Sequence, residues 1–245
     1  MTTSAERMRA WTGPAILSFG FRPFFSLAGL WAALAMAVWV AMLSGRTVLP
    51  TGFDPIGWHA HEFLFGYLGA VMAGFLLTAV PNWTGSLPLV GWPLAGLVAL
   101  WVIGRVAVAV SAHLPTLSVA LADLAFPAAL AGFLAREILA GRNWKNLPVL
   151  ALLTGWAVAN ALFHWEATQG GAPAQGIGLR IGLAVAVSMM TGTLMRAFRS
   201  RMMESPSSSG MFRSSTTRSG TATSISLRRL FPPSHSVTVK PCIFR

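Results

Sequence analysis

Residues 54–80 read DPIGWHAHEFLFGYLGAVMAGFLLTAV, and this stretch decides the fold. Asp54 followed by Pro55 is a helix start: the carboxylate accepts the free amides of a first turn, and proline at the first helical position costs no backbone bond. From Glu62 to Val80 the helix is apolar over the length of a bilayer crossing, about 17 to 25 residues. At its mouth, Trp58-His59-Ala60-His61-Glu62 concentrates two of the chain's five histidines and a carboxylate. Ionisable groups at the edge of lipid are costly, so their presence points to chemistry.

The rest of the chain has the same character. Of 245 residues, 54% are hydrophobic and 10% charged, with a mean hydropathy of +0.62; a soluble domain averages about 25% charged residues. The sequence therefore predicts an all-α, polytopic integral membrane protein. Six spans are expected: Phe24 to Leu43, Glu62 to Val80, Leu89 to Val110, Leu117 to Leu134, Leu147 to Trp165 and Ile177 to Leu194. The intervening Ser44-Gly45-Arg46, Pro81-Asn82-Trp83-Thr84-Gly85, His113-Leu114-Pro115, Gly141-Arg142-Asn143 and Gln169-Gly170-Gly171-Ala172-Pro173 supply turn formers and helix stops. Trp83, Trp92, Trp144 and Trp165 stand near span ends, where an aromatic belt is expected. The N-terminus lacks a signal-peptide cleavage pattern, so the first span reads as retained. The lone Cys242 excludes an internal disulfide or an intrachain thiolate cluster, leaving histidine, carboxylate or methionine to hold any metal.

Lys and Arg favour cytoplasmic loops. Arg7, Arg9 and Arg22 precede span one, Arg136, Arg142 and Lys145 join spans four and five, and Arg196, Arg199 and Arg201 follow span six. The opposite side holds Arg46 and the helix-end Arg105 and Arg180. The expected organisation is a cytoplasmic segment 1–23, a six-helix domain 24–195 and a Ser/Arg-rich tail 196–245. In that tail twelve serines and nine bases accompany one acid, Glu204, a composition that does not bury enough apolar surface to order itself. It reads either as a basic arm on the anionic leaflet or as the product of a shifted reading frame. The expected partner is the lipid bilayer, with no nucleic acid.

The topology carries His59, His61, His113 and His164 toward one outer face. On a regular helix His59, Glu62, Gly66, Ala70 and Gly74 fall along one stripe, and small residues at that spacing let helices approach closely. His59 and Glu62 are therefore expected to point into the bundle, with His61 about 200° around from His59. Trp156, Asn160 and His164 share a face of span five. Asp123, mid-span with Pro127 four residues on, reads as a proton relay or as a structural hydrogen bond. Arg105 is expected to snorkel outward or to pair with an acid or a haem propionate. Met189-Met190 and the interfacial His113 read more simply as filling and as an amphipathic headgroup residue.

Three motifs in this order resemble the NnrS family: Gly20-Phe21-Arg22-Pro23-Phe24-Phe25, Trp58-His59-Ala60-His61-Glu62 and Thr78-Ala79-Val80-Pro81-Asn82-Trp83-Thr84-Gly85. Asn160-Ala161-Leu162-Phe163-His164 is a weaker likeness, and the whole resemblance covers roughly residues 14 to 191. It implies a haem- and copper-containing protein of the bacterial inner membrane, linked to nitric oxide, found with denitrification genes and protective against nitrosative stress. It implies His59, His61 and His164 as metal ligands; Glu62, Arg105 and Asp123 are further site candidates from their own places in apolar helices. Family members continue into further helices where this chain turns to its Ser/Arg-rich tail. Catalysis, the electron donor and the pairing of histidines with haem or copper stay open. Half of a proton- or ion-coupled transporter, with Asp123 and the outer histidines on its path, is the alternative reading.

Overall fold

A computed structural model describes the backbone of residues 11–84 and 88–204 and the side chains of 11–81 and 88–192. Apart from the helix that runs on to Glu204, the tail expected from 196 lies outside the described residues, as do residues 1–10 of the N-terminal segment. Six long helices follow one another. They are α1 (Phe21–Leu43), α2 (Pro55–Pro81), α3 (Trp92–Ala109), α4 (Thr116–Ala140), α5 (Leu147–Thr168) and α6 (Ile177–Glu204). Among the described residues there is no strand.

Among the described residues, five segments are long and apolar enough to cross a bilayer: α1, α2, α3, α4 and Trp144–Thr168, which takes in α5. The sixth expected span forms as a helix, but its described apolar part is Ile177–Gly192.

Burial divides the helices by role. Of the most apolar window of α2, 67% is buried, against 11% for α1. Thus α2 is the centre of the bundle and α1 lies along its outside. The outward residues of the helices, such as Leu30, Leu34, Val40, Val106, Val158 and Val187, are exposed and apolar, as contact with lipid requires. The interior is filled by Phe24, Phe65, Phe126, Phe163 and Trp156 with leucines from α2, α4 and α5.

The start of α2 is built as its sequence predicts, with the Asp54 carboxylate accepting from the amides of Ile56 at 3.1 Å and Gly57 at 3.2 Å. Six residues on, the helix widens: Glu62–Tyr67 form a π turn between the α-helical Pro55–His61 and Leu68–Thr84. That turn inserts one residue into the spacing. Counting back along the stripe Gly74, Ala70, Gly66, the next position up is His61 and then Gly57. The buried residues of the first turns are accordingly Gly57, Trp58, His61 and Glu62. The regular-helix expectation that put His59 on this stripe is corrected by the π turn, and His59 lies half-buried to one side.

Candidate metal centre

His61 and Glu62 enter the bundle side by side and meet four other helices. The Nδ1 of His61 lies 3.2 Å from Glu62 Oε1, and its Nε2 lies 3.1 Å from both Asn160 Oδ1 and Asp123 Oδ2. Asp123 Oδ2 also accepts from Asn160 Nδ2 at 2.8 Å and faces His164 Nε2 at 2.9 Å. Arg105 spans the two acids, donating through Nη1 to Glu62 Oε2 at 2.9 Å and through Nη2 to Asp123 Oδ1. From α1, the Trp31 indole donates to Glu62 Oε2 at 2.8 Å. His61 and Glu62 are 0% exposed, Asp123 and Asn160 1%, Arg105 4% and His164 6%.

Glycine makes this approach possible at two places. A Cβ on Gly66 would lie 2.6 Å from Arg105 Nη1 and 2.8 Å from Glu62 Oε2, and one on Gly104 would lie 3.1 Å from the Cα of Asp123. Pro127, one turn beyond Asp123, has no amide to give to the Asp123 carbonyl.

The charges are not self-balancing. Two carboxylates against one guanidinium leave the cluster one positive charge short, and an uncompensated charge in a buried site is costly. All the partners of the His61 ring are acceptor oxygens, so hydrogen on both ring nitrogens satisfies every contact. A cation held between the rings answers the same need.

The donor geometry suits such a cation. One ligand atom from each of His61, Asp123 and His164 lies within 4.8 Å of the others. Bonds of about 2.0–2.1 Å in tetrahedral array put donors about 3.4 Å apart. The observed Nε2 to Oδ2 separations of 3.1 and 2.9 Å open to that spacing with a small outward shift of the rings.

Of the residues singled out in the sequence, the structure gathers His61, His164, Glu62, Arg105 and Asp123 into one network. Of the alternatives for Arg105, pairing with acid is what it does. His59 stands apart, its ring stacked on Trp39 at 3.9 Å and 15° and against Phe63 at 4.4 Å. Its buried Nδ1 has no hydrogen-bond partner among the described residues. His113 is exposed on the turn between α3 and α4. Two participants were not foreseen: Trp31, which nothing in the sequence marks, and Asn160 as a bonding partner. For Asn160 the signal was present in its four-residue spacing from His164.

Fold and site together define a multi-pass helical membrane protein with a buried histidine–carboxylate–guanidinium centre. The chain matches the family model described as NnrS protein over residues 15–222, and it belongs to the NnrS family. No curated protein and no solved structure matches it.

Proposed function

We propose that the chain is a metal-binding protein of the bacterial inner membrane, with its N-terminus cytoplasmic, that acts in the response to nitric oxide during denitrification or nitrosative stress. The observation that carries the reading is the convergence of His61, Asp123 and His164 donor atoms within 4.8 Å, inside a protein of this family. Two imidazoles and a carboxylate suit copper, iron or zinc.

Copper fits this donor set, and when bound it would supply a centre able to take up nitric oxide or exchange an electron. The chain's own residues do the rest. Glu62 faces His61 Nδ1 and fixes the ring so that Nε2 points to Asp123. Asn160 holds Asp123 Oδ2, and Arg105 holds Oδ1 and balances one carboxylate charge. Such outer contacts orient ligands and tune the centre.

Haem does not fit the cluster. His61 is sealed, and the cleft beside His164 has about 70 Å³, whereas sites for drug-sized ligands take roughly 300–1,000 Å³. We propose His59, outside the cluster and with an unpartnered Nδ1 among the described residues, as the ligand for a haem.

Metal analysis of purified protein tests the reading. Wild type is expected to carry one metal that His61→Ala, Asp123→Asn and His164→Ala each lose. Full retention in all three variants would falsify this centre.

A further inference from the structure

Phe53 belongs to the loop before α2, and that loop is tied down. The Thr51 hydroxyl donates to the Val108 carbonyl at 3.0 Å and lies 3.1 Å from the Ser111 hydroxyl. Ser111 Oγ accepts from the Gly52 amide at 2.8 Å, and the Ala112 amide donates to Pro50 at 3.1 Å. So anchored, the Phe53 ring is laid over the histidine pair. It lies nearly parallel to His61, with centroids 5.8 Å apart at 11°, and crosses His164 at 6.0 Å and 62°. Phe163 backs it at 5.7 Å.

Beside the ring is the cleft of about 70 Å³, whose walls include Gly52, Phe53, Ser111, Thr116 and His164. It has room for a few waters. Its hydroxyls suit a small polar guest, and His164 is the member of the cluster that reaches it.

We propose that Phe53 is a plug over the histidine pair and that the cleft beside it admits molecules of a few heavy atoms to His164 while excluding larger ones. The ring closes the direct path to His61, so a guest meets His164 first and Asp123 behind it. The inference rests on the reading of His61, Asp123 and His164 as the reactive centre. Accessibility is nonetheless a property of the metal-free chain, and it stands or falls separately from metal content.

Acylation of histidines by diethyl pyrocarbonate in the full-length, metal-free protein, resolved residue by residue by mass spectrometry, tests it. His113 is the exposed standard and His59 reports on the surrounding helices. In wild type, His61 and His164 are expected to react about tenfold or more slowly than His113, because buried groups react through local opening. In Phe53→Ala both are expected to gain about tenfold while His59 and His113 keep their rates. Phe53→Trp is expected to hold His164 at or below its wild-type rate. Unchanged rates at His61 and His164 in Phe53→Ala overturn the plug. If Phe53→Ala loosens His59 as well, Thr51→Val with Ser111→Ala decides, since together they remove the side-chain bonds of the latch and keep the ring. A rise confined to His61 and His164 then supports the proposal, and a uniform rise or none overturns it.

Discussion

At the scale of the residue, Asp123 carries the most, for its two oxygens meet Arg105, Asn160, His61 and His164. Asp123→Asn keeps the shape and removes the charge, leaving Arg105 with Glu62 alone. Breaking a buried ion pair from one side costs about 3–5 kcal/mol, so a large fall in melting temperature is expected together with loss of metal. Glu166 makes the useful contrast. It caps α6, accepting from the amides of Ile177 at 2.7 Å and Gly178 at 3.2 Å, and touches none of the cluster. Glu166→Ala is expected to cost about 0.5–2 kcal/mol with metal unchanged. Thermal unfolding in detergent with parallel metal analysis separates the two, and equal metal loss would undo the distinction. The same contrast explains what was legible in sequence. Glu62, Arg105 and Asp123 announce themselves because a charge in an apolar run needs a partner. Trp31 does not, because an aromatic residue among apolar neighbours looks the same whether it fills space or reaches a carboxylate; nor does Phe53, because a single aromatic residue in the turn-forming stretch Thr51-Gly52-Phe53-Asp54-Pro55 carries no sign of what its ring will cover.

At the scale of the element, the π turn in α2 decides which histidine enters the bundle. Such single-turn insertions occur often at functional sites. Hydrophobic pattern gave the existence and start of this helix, since apolar length and an Asp-Pro cap are local properties. It did not give the register, because a one-residue insertion changes which face is buried without changing composition. The insertion makes a deletion experiment discriminating. Removing Phe63, half-buried within the π turn, lets the helix relax to α spacing while Pro55–His61 and Leu68–Thr84 keep their faces. Removing Ala73 from the regular part rotates everything beyond it by about 100°. The Phe63 deletion is therefore expected to yield folded protein and the Ala73 deletion to aggregate, as judged by monodispersity after detergent extraction. The opposite order would mean that the turn is not an insertion.

At the scale of the whole molecule, alternation of the helices puts every element of the centre at one end. The loop 44–54, the turn 111–115 and the C-terminal end of α5 meet there, around Phe53, Ser111 and His164. The other end carries Arg22, Arg136, Arg142 and Lys145, while the loop 44–54 carries Arg46. Basic residues are retained on the cytoplasmic side, so the histidine end is expected to face outward. Single cysteines in a Cys242→Ser background test this with a membrane-impermeant maleimide. Thr47 and Gln169 are exposed at the histidine end and Gly141 is exposed at the basic end. Thr47→Cys and Gln169→Cys are expected to label on intact spheroplasts, and Gly141→Cys to label only after permeabilisation. The reverse pattern would turn the molecule over and open the cleft beside His164 to the cytoplasm, so that a small molecule would reach the centre from inside the cell.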